Sequence, residues 1–232
     1  MIPKVIHWCF LTNPYPALVD KCLQTWKKFC PGYLIKRWDM GNVDFSTMPK
    51  WCKVAYDNKL YAFVADYVRV NAIYEEGGIY LDSDVCICEH DPFKEYENER
   101  LWIPMENVFT PRIIEYKYKK YKHGVGVNPV FYGAEAGHPY FRDLLKRYDE
   151  LPDDYAEAAS KYFNSVPIAP AVWSSVMEEY GLKYQNKEQH LTEGIHVLSD
   201  EKFKHLGLSG DRKGLSAIHL ACNSWVRCKK LY

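Results

Sequence analysis

The chain has 232 residues and a mass of 27.2 kDa, with 47% hydrophobic and 26% charged residues, which suits one sizeable globular domain and excludes a disordered or fibrous chain. Thirty basic residues cancel thirty acidic ones, so no global field draws the chain to nucleic acid, and no nucleic-acid partner is expected. Aromatic residues make up 16% of the chain, a share that suits sugar and base faces as well as core volume.

Residues 4–10, Lys-Val-Ile-His-Trp-Cys-Phe, form an apolar run ended by Thr12-Asn13-Pro14-Tyr15-Pro16, the pattern of a buried strand leaving into a loop. His7 is expected to anchor the end of this strand. From Ala17 to Phe29 the apolar positions Leu18, Val19, Cys22, Leu23, Trp26 and Phe29 follow helical spacing, and Pro31-Gly32 stops them. Tyr33 to Trp38 reads as a second strand. Strand, helix, strand at this length predicts a parallel pair with a right-handed crossover.

The next long helix is predicted from about Asp57 to Glu76, with Gly77-Gly78 as its stop. At 100° steps Leu60, Phe63, Val64, Tyr67, Val70 and Tyr74 share one side, while Ala62, Asp66, Arg69 and Ile73 form a second, narrower stripe. Both faces are therefore expected to be covered. Ile79-Tyr80-Leu81 then runs into Asp82-Ser83-Asp84, followed by Val85-Cys86-Ile87-Cys88. Beyond Pro92, Leu101–Met105 and Val130–Ala134 read as strands, and Pro139–Leu151 and Ala171–Tyr180 as helices. No repeat or linker interrupts the chain. The alternation predicts an α/β fold in a single domain, residues 1–232.

Two carboxylates one residue apart at the end of an apolar strand repel each other. In open α/β sheets that end is also where ligands bind. A hard divalent ion, Mn²⁺ or Mg²⁺, bridging Asp82 and Asp84 to a diphosphate would hold both ionised. The alternative is a solvated strand end or a helix-capping acid; the bare D-x-D triple does not separate them, and its context is what singles it out. Asp66 and Arg69 read either as an ordinary i, i+3 surface pair or as a partly buried pair meeting phosphate and sugar hydroxyls. His219, in Leu215-Ser216-Ala217-Ile218-His219-Leu220, is either a core histidine or a further metal ligand.

These pieces together resemble a known family. Ile2-Pro3-Lys4-Val5-Ile6-His7 and Lys36-Arg37-Trp38-Asp39 match its opening. The most specific match is Ala65-Asp66-Tyr67-Val68-Arg69 with Glu76-Gly77-Gly78-Ile79-Tyr80-Leu81-Asp82-Ser83-Asp84-Val85. Asn128, Gly133-Ala134, Gly137-His138-Pro139, Ile218-His219 and Ser224-Trp225 follow in order. The chain resembles glycosyltransferase family 32, the DXD sugar transferases. The resemblance implies a GT-A fold, with a Rossmann-like, mostly parallel sheet flanked by helices. It implies a nucleotide-sugar donor, expected to be a UDP-sugar, and transfer of a hexose with retained anomeric configuration to a saccharide or lipid-linked saccharide in surface polysaccharide synthesis. Residues 1–92 would form the nucleotide-sugar half, and residues 93–232 the acceptor side with a C-terminal loop closing the metal site.

By position, Asp82 would contact donor ribose and sugar and share the metal, and Asp84 would bind Mn²⁺ or Mg²⁺ and through it the diphosphate. Asp66 and Arg69 would hold the transferred sugar, with Ser83 beside them. His219 and Asn223 would complete the metal shell, Ser224 would contact the donor, and Trp225 would lie over the phosphate or glycosidic oxygen. Asn128 would face the sugar or acceptor, and Phe10, where relatives often carry Trp, would stack on the base. Asp66, Arg69, Asp82 and Trp225 form the expected catalytic set. Ala169-Pro170 stands where many relatives have Gly-Pro.

Two rival classes share parts of the pattern. A haloacid-dehalogenase-like phosphatase wants Thr two residues after its second Asp, where this chain has Cys86. A non-catalytic carbohydrate-binding module would use the aromatic richness alone. The eight cysteines, at 9, 22, 30, 52, 86, 88, 222 and 228, match no zinc spacing and are expected to be free thiols. The opening residues lack a signal peptide's apolar stretch, and no run approaches the roughly 18 apolar residues of a span, so the expected site is the cytoplasm. The basic aromatic run Tyr116-Lys117-Tyr118-Lys119-Lys120-Tyr121-Lys122 and the chain's last residues, from Trp225 to Tyr232, are either solvated faces or peripheral contacts with anionic lipid at the inner face of the membrane.

Overall fold

The computed structural model describes residues 1–107, 125–161, 168–205 and 213–220. The Tyr116–Lys122 run, the chain's last residues, and Cys222, Asn223, Ser224, Trp225 and Cys228 lie outside the described residues.

β1 (Val5–Cys9), α1 (Ala17–Phe29) and β2 (Leu34–Trp38) form the predicted β-α-β opening. The strands pair in parallel, from Val5 opposite Leu34 to Cys9 opposite Trp38. α1 buries Val19, Cys22, Leu23 and Trp26, the stripe its spacing foretold.

The helix predicted from about Asp57 begins four residues later, as α3 (Tyr61–Glu76), and a separate helix that the sequence reading missed, α2 (Lys50–Asp57), precedes it. Between them the Asn58 amide donates to Val54 O at 2.9 Å, and Lys59 takes a left-handed conformation at φ 60°. That local alternative to the helical ladder ends α2 without glycine or proline. α3 is covered on both sides, as its two stripes required. Phe63 and Tyr67 meet the rings of Trp51, Tyr148 and Tyr155, and the Arg69 guanidinium lies 5.0 Å from the centre of the Tyr80 ring on the sheet.

The remaining strands are β3 (Gly78–Leu81), β4 (Val85–Ile87), β5 (Leu101–Asn107), β6 (Val125–Val127), β7 (Phe131–Ala134), β8 (Gln189–His190), β9 (Ile195–Leu198), β10 (Phe203–His205) and β11 (Ala217–His219). The helices are α4 (Pro139–Asp149), α5 (Tyr155–Lys161) and α6 (Ala169–Met177), the last starting two residues earlier than its periodicity suggested and ending in a 3₁₀ turn over Glu178–Tyr180. The large sheet has the order β2-β1-β3-β7-β5-β9-β8, with β6 beside β5. β2, β1, β3, β5 and β9 all run one way; β7 crosses between β3 and β5 in the opposite sense. Successive strand residues alternate between two cores. Ile79, Leu81 and Trp102 join Trp26 on the α1 side, and Tyr80, Leu101 and Ile103 join Trp51 on the α2 and α3 side. This is a sheet flanked by helices on both faces.

The turn from α3 into β3 fixes where β3 begins. Gly77 and Gly78 hold φ of 64° and 113°, and a Cβ on Gly78 would lie 2.7 Å from Val5 O and 3.1 Å from His7 Nε2. His7 lies against this turn. Trp38 Nε1–H donates to His7 Nδ1 at 3.0 Å, so the ring's proton sits on Nε2 and donates to Gly77 O at 2.9 Å. Burial pushes this imidazole below its ordinary pKa, in keeping with the neutral tautomer. Among the described residues, no helix is long and apolar enough to cross a membrane.

Gly78→Ala meets both the positive φ and the Val5 carbonyl. It is expected to cost at least ~1–3 kcal/mol, read from the urea midpoint; a midpoint shift worth less than about 0.5 kcal/mol would show that the turn relaxes freely.

Candidate active site

β3 delivers Asp82 at the carboxyl end of the sheet. Asp82 N–H donates to Val130 O at 2.9 Å, and Val85 N–H donates to Asp82 O at 3.0 Å, so the Asp82-Ser83-Asp84 segment is a tight turn between two strands. β4, which leaves the turn, pairs antiparallel with β11 in the small sheet β10-β11-β4, setting His219 opposite Val85. Leu220 N–H donates to Asp84 O at 3.0 Å. His219 Nε2 then lies 3.1 Å from Asp84 Oδ1. A residue 135 positions downstream, by subtraction of the two numbers, is thus bonded to the turn.

α3 brings the other two charges. Arg69 Nη2 lies 3.1 Å from Asp66 Oδ1 and 3.1 Å from Asp82 Oδ1. Its Nη1 donates to Pro129 O at 2.9 Å, and Tyr132 O–H donates to the Arg69 backbone carbonyl at 3.0 Å. The pair is buried, with side chains only 7% and 12% exposed, so the surface-pair alternative does not hold. Arg69 aligns two carboxylates and has few donors left to spend elsewhere.

The electrostatics follow from burial. Asp66 is pushed up to about 7 by desolvation, which the Arg69 charge opposes and the Asp82 charge reinforces. Asp82 is also raised, by desolvation first, against the pull of Arg69 and His219. Burial lowers His219, but the charge and hydrogen bond of Asp84, with the charges of Asp82 and Glu106, outweigh it and hold the imidazole above its ordinary value. Without a metal, this cluster retains protons that the unfolded chain would lose.

One oxygen or nitrogen from each of Asp82, Asp84 and His219 lies within 4.8 Å of the others. Two carboxylates and an imidazole suit a divalent ion such as Mn²⁺, with the nitrogen favouring Mn²⁺ over Mg²⁺. Of the other expected site residues, Ser83 is half-buried within the turn. Asn128 is buried between β6 and β7, its Oδ1 accepting from Val130 N–H at 3.2 Å. Phe10 follows β1, edge-on to Tyr15 at 6.1 Å, with its carbonyl accepting from Arg37 at 2.8 Å. Glu106 near the end of β5 is a further acid whose charge reaches His219, and sequence reading passed over it. The signal was available: Glu106 follows the apolar run Leu101–Met105 as Asp82 follows Ile79–Leu81.

Residues 16–102 match the model of the glycosyltransferase sugar-binding region containing a DXD motif, and Asp82-Ser83-Asp84 falls inside the match. A comparison with curated proteins finds no match. Among solved structures, the chain is similar to a glycosyltransferase involved in glycosylation of the major capsid of PBCV-1, at 11% identity and a TM-score of 0.52, covering 94% of each chain. It is similar to mouse xyloside xylosyltransferase 1 at 12% identity and a TM-score of 0.52, covering 96% of this chain and 99% of that one. The PaToxG glycosyltransferase is similar at 13% identity and a TM-score of 0.50, over 77% of this chain and 68% of its own. At such identities these likenesses show the fold, which is that of GT-A glycosyltransferases.

Asp66 has a folded pKa above its unfolded value of about 3.9. Its contribution to stability is present in acid and lost as pH rises towards about 7. In EDTA, urea stability is therefore expected to fall between pH 5 and 7, at up to ~1.4 kcal/mol per pH unit, and Asp66→Asn should flatten that fall. An identical slope in the variant would mean that Asp66 is ionised throughout.

Proposed function

We propose that the chain is a metal-dependent, retaining glycosyltransferase that moves a hexose from a nucleotide-sugar, a UDP-sugar, to a saccharide or lipid-linked saccharide acceptor in surface polysaccharide synthesis. The observation that carries the reading is the convergence of Asp82, Asp84 and His219 at the carboxyl end of β3, joined through Arg69 to Asp66. The DXD-region match over residues 16–102 supports it. The family suggested by the resemblance is glycosyltransferase family 32.

Mn²⁺ (or Mg²⁺), if held there, would supply positive charge to a departing diphosphate. Asp82, Asp84 and His219 are its proposed ligands, with Asn223 as a fourth. Asp66 accepts from hydroxyls of the transferred sugar, and Arg69 holds Asp66 and Asp82 in register across the sugar site. Ser83 and Asn128 line the donor side, Phe10 stacks on the base, and Ser224 and Trp225 cover the phosphates. The acceptor hydroxyl attacks the anomeric carbon on the face that the diphosphate leaves; the C–O bond to phosphate breaks, and the hydroxyl proton passes to the departing phosphate oxygen. Positioning and charge stabilisation carry the barrier reduction. Residues 1–92 form the donor half of a single domain and residues 93–232 its acceptor side. The protein would act in the cytoplasm. The basic aromatic stretches would place the protein at the inner face of the membrane, beside a lipid-linked acceptor.

The test is donor hydrolysis over a panel of nucleotide-sugars with Mn²⁺, read as free nucleotide. One donor should be cleaved, and Asp84→Asn should lose ~100-fold or more while melting as a folded protein. Full activity of Asp84→Ala in EDTA would overturn the metal assignment. Titration with UDP separates this reading from plain sugar binding: heat should appear with Mn²⁺ and shrink in EDTA.

A further inference from the structure

A second group of metal-competent side chains lies at the far edge of the large sheet, where β8 pairs with β9. β3 and β8 are four strand steps apart in the order β3-β7-β5-β9-β8, about 19 Å at ~4.8 Å per step, so this group is separate from the DXD turn. The antiparallel register sets His190 directly opposite His196, and their rings stack with centroids 4.3 Å apart. His196 is buried, with its side chain 9% exposed, while His190 and Glu188 are 70% and 63% exposed.

Both nitrogens of the His196 ring face carboxylates. Nδ1 lies 3.1 Å from Glu99 Oε1, and Nε2 lies 2.8 Å from Glu188 Oε1. A neutral imidazole has one N–H. With that proton on Nδ1 and given to Glu99, the Nε2 lone pair faces the Glu188 oxygen, and either a second proton or a metal ion separates the two. His190 Nε2 comes to 3.7 Å from the same Glu188 oxygen, which adds a third donor. Two imidazoles and a carboxylate, with an outer carboxylate fixing the tautomer of the buried histidine, form the carboxylate–histidine–metal arrangement.

We propose that His190, His196 and Glu188 bind a divalent transition metal of the zinc class, with Glu99 as the outer carboxylate that orients His196. The three donor atoms lie within 4.8 Å of one another. Ligands of a tetrahedral zinc sit about 3.3 Å apart at bonds of ~2.0–2.1 Å, so closure needs only small rotations of the exposed Glu188 and His190 about a fixed His196. Three protein ligands leave a fourth position for water. The ion would tie the two-residue edge strand β8 to β9.

The probe is Co²⁺ added to the full chain, followed by visible absorption, with Zn²⁺ competition giving the affinity. Wild-type protein should show the intense bands of four-coordinate cobalt, and stoichiometric Zn²⁺ should erase them. His190→Ala should lose the bands while keeping the wild-type melting temperature in EDTA, since its side chain is exposed. Glu99→Gln should weaken Zn²⁺ by ~10–100-fold, the usual cost of losing an outer-shell partner. Asp84→Asn should keep the bands, whatever the fate of sugar transfer. Absence of four-coordinate bands in the wild type, or equal Co²⁺ binding by His190→Ala, would overturn the proposal; so would loss of the bands in Asp84→Asn.

Discussion

The site depends on one buried cation. The Arg69 guanidinium touches Asp66 and Asp82 at 3.1 Å each and lies over Tyr80, and its charge is what opposes their desolvation. A buried charge is costly unless paired, and removing one member of such a set commonly costs about 3–5 kcal/mol. Asp84 has its own partner in His219. The metal-free site is therefore internally compensated: Arg69 holds two acids, and a histidine bonds the third. A divalent ion held by Asp82, Asp84 and His219 would take the place of the proton shared by Asp84 and His219 and would draw on Asp82 as well. Arg69 would keep Asp82 aligned with Asp66 with or without such an ion.

The scaffold holds this arrangement through backbone contacts made far from the charges. His7 accepts from Trp38 and donates to Gly77, tying β1, β2 and the α3–β3 turn into one unit. The close approach of Gly78 to Val5 leaves β3 little freedom to slip against β1. At its other end β3 hands the chain to a turn fastened by Val130 on one side and, through the Asp84 carbonyl, by Leu220 on the other. The acids are then held by main-chain hydrogen bonds to two distant segments, while their side chains remain at the sheet's carboxyl end, where α/β sheets receive ligands.

Much of this was legible because local signals agreed with the final packing. α1 ends where Pro31-Gly32 says it must, and the narrow Asp66–Arg69 stripe of α3 does face the sheet. Other parts were illegible for identifiable reasons. The break at residues 58–60 contains neither glycine nor proline; Lys59 adopts a left-handed conformation that its side chain does not advertise. The choice between core histidine and ligand for His219 turns on a strand pairing between β4 and β11, which no local pattern encodes. Glu106 follows an apolar run as Asp82 does, but its nearness to His219 depends on that same long-range pairing. His190 and His196 are six apart, by subtraction, and match no metal spacing; only the turn over Thr192–Gly194, with Glu193 at φ 58°, folds them face to face.

The two clusters also show how placement sorts chemistry within one sheet. At the carboxyl end of β3 the donors are dominated by acids, and the nearest fixed charge, Arg69, is already engaged by two of them. Such a site favours a hard ion that keeps room for further oxygen ligands, which is what an anionic diphosphate would bring. At the β8 edge the donors are dominated by imidazole, with carboxylates bonded to both nitrogens of a buried ring. That set favours a softer ion, with a fourth position left to water. The first cluster lies where strand ends and a helix face converge, and the second at a strand edge. A metal held at the first is placed to act on a bound molecule; a metal held at the second is placed to act on the fold.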